Sequence, residues 1–156
     1  MKKQVTIYTD GACKGNPGPG GYAAILVYKS TKKQISKGFF NTTNNRMELL
    51  AAITALEALT ESCDVTLYSD SKYLVDGMTK GWARKWKANN WIKADKKKAL
   101  NTDLWDRLLH LDDTHTVEYV WVKGHNGHEF NEECDRLAVA SAENPTDKDL
   151  FGEEKI

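Results

Sequence analysis

Strand-forming runs and short polar turns alternate along the first third of the chain. Three runs rich in β-branched and aromatic residues predict strands at residues 4–9, 22–28 and 34–40. A glycine- and proline-rich stretch after Asp10 separates the first two runs, and a polar turn at residues 30–33 separates the second and third. Strands joined in this way predict an antiparallel meander.

The hydrophobic period changes after Asn44. Residues 46–61 are strong helix formers and apolar around most of the helix circumference, which predicts a helix packed against a sheet or within the core. Two further strands are predicted at residues 65–69 and 116–122, with amphipathic helices at residues 71–78, 102–111 and 131–142. The order βββαβααβα predicts a mixed α/β (α+β) fold. Its five-stranded sheet has three antiparallel strands and then two crossover-connected strands, flanked by helices.

Size and composition fit a single domain. The chain has 156 residues, 40% of them hydrophobic, with five tryptophans, which is enough to close a core. We expect one domain over residues 1–145 and a flexible acidic tail over residues 146–156. The chain has neither a membrane-length apolar run nor the apolar stretch of a secretory signal. We therefore expect a cytoplasmic protein without membrane contact, and a monomer as the simplest assembly.

The three cysteines do not form a recognisable framework. Cys13, Cys63 and Cys134 are odd in number, and none belongs to a CxxC pair or has a histidine at zinc-finger spacing. This argues against disulfides and structural zinc, and it favours three reduced thiols in a reducing compartment.

Net charge is zero, but positive charge is concentrated between residues 80 and 98. Eight Lys and Arg side chains in this window face one acid, Asp95, and they alternate with Trp82, Trp86 and Trp91. Such a mixture can follow a phosphate backbone while the rings pack on sugars and bases. The alternative is a solvated helix whose tryptophans point inward, which is the better interpretation of any single Trp. The window as a whole favours a nucleic-acid-binding face.

Four acidic residues stand at the ends of predicted elements or on a helix turned toward the core, namely Asp10, Glu48, Asp70 and Asp135. Two of them end strands expected to be central, so the set could meet at one sheet edge. Carboxylates about 4 Å apart repel one another by about 4 kcal/mol per pair unless a cation joins them. Carboxylate oxygens suit Mg²⁺ and Mn²⁺, and two such ions can clamp both reacting oxygens of a phosphodiester. The set therefore predicts a divalent-metal site.

Each acid also has an ordinary explanation. Asp10 belongs to an Asp-Gly turn signal, and Glu48 has capping-box spacing to Asn45. Asp70 stands at an N-cap position, and Asp135 resembles a solvated surface acid. The metal-site hypothesis depends on their convergence.

His125 lies in the loop KGHNGH that follows the last predicted strand. An exposed imidazole in a glycine-flanked loop can move protons near neutral pH. Without the four acids, an ordinary surface histidine would be the better interpretation. His128 could cap the last helix and receives no catalytic role, and His110 and His115 have no suggestive context.

Five segments of the chain resemble bacterial type 1 ribonuclease H: YTDGACKGNPGPGGYAAIL, TTNNRMELLAAITALEAL, SDSKYLVDGM, the Trp- and Lys-rich segment, and WVKGHNGHEFNEECDRLA. They occur in the family's order and cover all but the acidic tail. The resemblance implies a ribonuclease H-like fold. It also implies an endoribonuclease that cuts the RNA strand of RNA/DNA hybrids, leaving 5′-phosphate and 3′-hydroxyl ends.

The same resemblance implies roles for individual residues. Asp10, Glu48, Asp70 and Asp135 match catalytic ligands of two Mg²⁺ ions, with Mn²⁺ a substitute, and His125 matches a histidine for proton transfer or product release. Contacts to a minor groove that presents 2′-hydroxyls are implied for Gly11, Cys13, Asn16, Asn44 and Asn45. The DNA strand would lie against Trp82, Trp86 and the basic segment, with Thr43 and Asn101 at a phosphate. Turn and cap chemistry is a compatible explanation for the asparagines.

Three positions depart from the family pattern. Asn41 stands where an Arg is common, Lys72 where a Gln often reaches the minor groove, and Lys98 where a Pro is common. None of these residues is a metal ligand. We therefore expect the changes to affect the affinity for substrate and its salt dependence rather than cleavage itself.

Two rival functions remain open from the sequence. One is a hybrid-binding module without catalysis, against which the intact acids argue. The other is a DNA nuclease, integrase or resolvase of the same fold, because fold alone does not define the substrate. The GNPGPGG loop and the basic Trp segment favour hybrid cleavage.

Overall fold

The computed structural model describes residues 2–124 and 128–149. This part of the chain forms one five-stranded sheet and five helices, which confirms the predicted mixed α/β class. The strands are β1 (Lys3–Cys13), β2 (Gly18–Tyr28), β3 (Thr31–Thr42), β4 (Cys63–Ser69) and β5 (Thr116–Trp121). The helices are α1 (Asn44–Glu57), α2 (Lys72–Thr79), α3 (Trp82–Ala88), α4 (Thr102–Thr114) and α5 (Glu129–Glu143).

The strand order is β3-β2-β1-β4-β5. The first three strands pair antiparallel, whereas β4 runs parallel to both β1 and β5. The β1–β4 register aligns Tyr8 with Tyr68, so Asp10 and Asp70, each two residues further on, lie just beyond the last β1–β4 pair at the same edge of the sheet. The carboxyl ends of neighbouring parallel strands are a common place for functional sites.

Helices α1 and α5 cover opposite faces of the sheet. Successive strand residues point to opposite faces, and a Cβ on Gly20 would meet Met47 of α1, whereas a Cβ on Gly21 would meet Ala138 of α5. Helix α1 also packs against α4, and ten of its fourteen residues are buried. The nearly all-round apolar character of this helix reflects its place between the sheet and α4.

The glycine-rich stretch is mostly strand rather than the predicted wide turn. Strand β1 continues to Cys13 and β2 begins at Gly18, so only four residues form the connection. A Cβ on Gly21 would lie 2.6 Å from backbone atoms of α5, so this glycine lets the helix approach the sheet closely. Close packing, as well as turn geometry, explains the glycines.

Helix α3 is absent from the element order that the hydrophobic pattern predicts. It is seven residues long, and only Ala83 within it is buried. A helix this short carries too little periodicity to stand out, and the glycine before it, Gly81, adopts a left-handed conformation with φ of 75°.

Residues 146–149 differ from the flexible tail that we expected from residue 146 onward. The Phe40 N–H donates to the Asp147 carbonyl at 2.9 Å, and the N–H groups of Thr146 and Asp147 donate to the Gly38 carbonyl at 3.1 Å. The segment thereby extends the sheet contacts of β3. Residues 150–156 lie outside the described part.

Arg46 forms the side-chain contacts that hold residues 146–149 against the domain. Its side chain is 3% exposed, and it forms two-pronged contacts with both Asp103 and Asp149, whose closest distances are 2.7 and 2.8 Å. The Thr42 hydroxyl also donates to Asp149, at 2.6 Å. Burial alone would lower the pKa of Arg46, but the two carboxylates raise it above its ordinary value. One guanidinium therefore joins the starts of α1 and α4 to the C-terminal segment.

We predict that Asp149→Ala lowers the free energy of unfolding by about 3 kcal/mol, because it removes one partner of a buried ion pair while Asp103 still balances Arg46. Urea denaturation monitored by circular dichroism measures this change. Asp147→Ala is the matched control, since its ion pair with Lys37 is largely exposed and its loss should change stability little. Equal losses in the two variants would contradict the assigned role of Asp149.

Candidate active site

Asp10 lies near the end of β1 with its side chain toward α5. The carboxylate is buried, and its Oδ1 accepts a hydrogen bond from the Gly11 N–H at 2.9 Å. This contact orients the carboxylate, but within residues 2–124 and 128–149 its charge has no ion-pair partner. Asp10 is thus more than the turn residue that its dipeptide suggested.

Glu48 reaches Asp10 because Gly11 has no side chain. A Cβ at Gly11 would lie 2.8 Å from the Glu48 nitrogen, so only glycine allows α1 to rest on the strand here. The N-cap of α1 is Thr43, whose hydroxyl accepts from the Arg46 N–H at 3.3 Å. The capping-box alternative for Glu48 and Asn45 is therefore wrong, and Glu48 is buried at the sheet edge.

Asp70 occupies the corner between β4 and α2. The helix is capped by Ser71, whose hydroxyl accepts from the Leu74 N–H at 3.2 Å, so the N-cap alternative for Asp70 is also wrong. The Asp70 side chain is left to face the site.

The acids converge as the sequence pattern predicted. Carboxylate oxygens of Asp10, Glu48 and Asp70 all lie within 4.8 Å of one another. Asp135, on α5, lines the same cavity of about 20 Å³ as Asp10 and Asp70. Such a cavity has room for one water or a small ion.

Burial and mutual repulsion act on these carboxyls. Burial, with repulsion from Asp70 and Asp135, raises the pKa of Asp10 to about 8. Burial, with repulsion from Asp10 and Asp70, also raises the pKa of Glu48 well above its ordinary value. Within the described residues none of the four acids forms an ion pair, although Lys123 lines the cavity.

Two buried oxygens of the cluster indicate what is needed there. Glu48 Oε1 and Asp70 Oδ1 are inaccessible to solvent and have no hydrogen-bond partner in the described part of the chain. Unpartnered buried acceptors are costly, whereas a divalent cation with oxygen ligands would satisfy them and cancel the repulsion. The donor set, all carboxylate, fits Mg²⁺ or Mn²⁺.

A groove of about 660 Å³ lies beside the start of α1. Four of the predicted substrate contacts line it, and they are Asn16, Thr43, Asn45 and Asn101. The exposed Asn44 lies next to them, and its N–H donates to Asn16 Oδ1 at 3.1 Å. The groove thus connects the β1–β2 turn to α1.

Three of these groove residues also have structural duties. Thr43 caps α1, as described above. The Asn101 amide donates to the Tyr73 hydroxyl at 3.1 Å and accepts from Arg46 at 3.2 Å. Asn16 accepts the bond from Asn44. Cap and turn chemistry therefore coexists with their exposure to the groove.

The remaining predicted contacts are placed less uniformly. Gly11 is under α1, and the partly buried Cys13 lies with its Sγ 3.4 Å from the Thr42 carbonyl oxygen. Lys72 lies outside the groove lining, with its Nζ 4.7 Å from the ring centroid of Trp121. All three cysteines are free thiols, as expected.

Only part of the basic segment is available for a polyanion. Trp82 is 38% exposed, whereas Trp86 packs edge-on against Trp105 with 6.0 Å between ring centroids. Acids of α4 pair with Arg84 and Lys87. Four lysines have no ion pair within the described residues, and they are Lys85, Lys96, Lys97 and Lys98. Trp86 thus points inward, as the alternative of a solvated helix predicted, whereas a nucleic-acid-binding role for the exposed Trp82 stays a prediction.

The surroundings of the histidines differ in ways that the sequence did not show. His125 lies outside the described residues. His128 is the N-cap residue of α5 without a side-chain capping bond, and its ring packs on Tyr8 with 5.1 Å between centroids. His115 is buried and accepts from the Cys63 N–H at 3.1 Å.

Trp121 is a site neighbour that the sequence did not suggest. Its indole N–H donates to the Asp70 carbonyl at 3.2 Å. The only available signal was its position at the end of the strand paired with β4, two residues before Lys123.

Comparisons with known proteins agree on one family. A family model described as RNase H matches residues 2–143. Ribonuclease H of Desulforamulus reducens is 59% identical over 143 residues, covering 92% of this chain and 90% of the relative. Ribonuclease H of Proteus mirabilis is 58% identical over 149 residues, covering 96% and 93%.

Solved structures show the same fold. LC9-RNase H1, described as a type 1 RNase H with the type 2 active-site motif, superposes with a TM-score of 0.82 and 31% identity over 99% of this chain and 81% of its own. LC11-RNase H1, solved in complex with an RNA/DNA hybrid, gives a TM-score of 0.64 and 22% identity over 90% and 97%, a likeness of fold alone. Among the described residues, no helix has the length and apolarity needed to cross a bilayer.

We predict that Asp10→Asn stabilises the metal-free protein at high pH. A carboxyl with a raised pKa stabilises the fold at low pH, and this contribution is lost as pH rises from 3.8, its ordinary value, through about 8. With chelator present, the melting temperature of the variant minus that of the unsubstituted protein should therefore increase as pH rises across that interval. The increase should be roughly 2–4 °C for each kcal/mol of stability gained by the variant. A difference that does not change with pH would contradict the repulsion described above.

Proposed function

The chain belongs to the ribonuclease H family, and on that premise we propose that Asp10, Glu48, Asp70 and Asp135 hold two Mg²⁺ ions at the edge of its sheet. The enzyme hydrolyses the RNA strand of RNA/DNA hybrids, leaving 5′-phosphate and 3′-hydroxyl ends. The observation that carries the metal proposal is the pair of buried, unpartnered oxygens on Glu48 and Asp70. Mn²⁺ is a chemically suitable substitute for Mg²⁺.

The four acids have different surroundings within the site. When bound, the ions would polarise the scissile phosphate and lower the pKa of the attacking water. Asp10 and Glu48 are buried and held by β1 and α1, so they form the rigid part of the ligand set. Asp70 and Asp135 are partly exposed, so they would form the side of the ligand set that substrate can reach. His125 lies outside the described residues, and its role in carrying the proton to or from the reacting oxygens is proposed from the sequence KGHNGH and the family resemblance.

The groove beside α1 would receive the hybrid. Amide groups of Asn16, Asn44 and Asn45 can donate to 2′-hydroxyls or accept from them, which distinguishes an RNA strand from DNA. Gly11 and Cys13 border this region at the end of β1. Thr43 and Asn101 line the groove and would contact a phosphate there, since the Asn101 amide has a second N–H besides the one bonded to Tyr73.

The DNA strand would continue onto the basic segment. Trp82 offers an exposed ring, and Trp86, also on α3, packs against the core. Lys98 lines the groove and links it to this segment. Asn41 offers no cation where an Arg is common in the family. Lys72 adds positive charge near Asp70.

The rival functions account for fewer observations. A binding module without catalysis would not need four clustered acids with two unsatisfied oxygens. A DNA nuclease, integrase or resolvase could share the fold, but relatives at 58 and 59% identity over most of the chain are ribonucleases H.

We also propose a cytoplasmic monomer. Three free thiols in one small protein suit a reducing compartment. Size-exclusion chromatography with light scattering measures the assembly state.

We predict that the purified protein with Mg²⁺ cuts the labelled RNA strand of a hybrid and leaves duplex DNA and single-stranded RNA intact. Asp10→Asn and Asp70→Asn should each abolish cleavage, since each removes a charged ligand. Asp64→Asn is the control: it lies on the same strand as the Asp70 corner, but its side chain accepts from Gln4 at the opposite end, so cleavage should persist. Cleavage that persists in both site variants, or cleavage by the unsubstituted protein in excess chelator, would refute the metal proposal.

We predict that Lys98→Gln weakens hybrid binding and reduces its salt dependence. Each lost phosphate contact lowers the slope of log affinity against log salt by about 0.9. Lys87→Gln is the matched control, because this lysine is already paired with Asp106 at 2.7 Å. Fluorescence anisotropy in Ca²⁺ at several salt concentrations gives both slopes, and identical slopes for the two variants would contradict the proposed DNA path.

A further inference from the structure

Three hydrogen bonds hold the backbone corner that presents Asp70. The Ser69 carbonyl accepts from the Val122 N–H at 2.9 Å, and the Ser71 N–H donates to the Ser69 hydroxyl at 3.0 Å. The third bond runs from the Trp121 indole N–H to the carbonyl of Asp70 itself, at 3.2 Å. Of the three, this is the one that contacts the acid residue directly.

Trp121 also contacts a lysine close to the acids. Its ring is 43% exposed, and the Lys72 ammonium lies 4.7 Å from the ring centroid. This distance is typical of a cation–π contact. Lys72 is two residues from Asp70, and none of the four acids has an ion-pair partner in the described part of the chain. The Trp121 ring therefore holds the Lys72 ammonium, which could otherwise form an ion pair with one of the carboxylates.

We propose that Trp121 is a positioning residue for Asp70, through its indole bond to the Asp70 carbonyl and its retention of the Lys72 ammonium. The inference rests on the proposed metal site. Mg²⁺ demands near-ideal octahedral geometry, so a small rotation of the Asp70 corner weakens its contribution as a ligand. A lysine ion-paired with Asp70 would compete with the metal for the same oxygens.

The two contacts can be separated by substitution. Trp121→Phe keeps an aromatic ring beneath Lys72 and removes the N–H donor. Trp121→Leu removes both, and Trp121→Leu with Lys72→Met removes the released ammonium as well. Trp82→Phe is the matched control, since Trp82 also carries a lysine, Lys80, 5.4 Å from its ring centroid but lies on α3.

The primary readout is the dissociation constant for Mg²⁺ alone, measured by calorimetry on the full chain. Partners that orient a metal ligand typically change metal affinity 10–100-fold. We expect Trp121→Phe to weaken Mg²⁺ about tenfold, Trp121→Leu to weaken it further, and Lys72→Met to restore Trp121→Leu to the level of Trp121→Phe. In cleavage assays, Trp121→Phe should raise the Mg²⁺ requirement and leave KM for the hybrid unchanged. Trp82→Phe should leave the Mg²⁺ requirement unchanged and raise KM for the hybrid.

Three results would overturn the inference. Unchanged Mg²⁺ affinity in Trp121→Phe excludes the indole bond as a positioning contact. Failure of Lys72→Met to improve Trp121→Leu excludes retention of the ammonium by the ring. Absence of Mg²⁺ binding by the unsubstituted chain would remove the proposed metal site, and this inference with it. Circular dichroism of each variant establishes that its fold is retained.

Discussion

Repulsion among carboxylates at one edge of the sheet is the constraint on which the site depends. The parallel register of β1 and β4 brings Asp10 and Asp70 to the same level, and the absence of a side chain at Gly11 lets α1 add Glu48. Burial then raises the pKa of Asp10 and Glu48, so holding them together costs the fold stability whenever they are ionised. A bound divalent cation reverses this cost, which couples metal binding to folding.

Helix α1 connects the edge of the sheet that carries these carboxylates to the rest of the protein. Most of its side chains are buried between the sheet and α4, so its position is determined by packing rather than by the acids. At its start, Arg46 is balanced by Asp103 and Asp149, and the groove with Asn45 lies alongside. The same helix therefore carries Glu48 of the acidic cluster, lines the groove and anchors the C-terminal segment.

The sequence predicted the strands, four of the helices and the convergence of the acids, because alternation, helical period and strand ends are local signals. It could not show that Ser71 and Thr43 cap their helices, which frees Asp70 and Glu48 for the site. The docking of Asp149 on Arg46 and the indole bond from Trp121 to Asp70 also depend on residues distant along the chain. Glycines that permit helix approach look the same in sequence as glycines that form turns.

The proposal that bound divalent cations neutralise this cluster of raised-pKa carboxyls is tested most directly by proton release on Mg²⁺ binding. Titration calorimetry at pH 7 in buffers of different ionisation enthalpy measures the number of protons released. Because Asp10 has a pKa of about 8 before metal binds, Mg²⁺ should displace about one proton or more at pH 7, and the number should fall as pH rises above 8. A binding heat that is the same in every buffer would contradict the account.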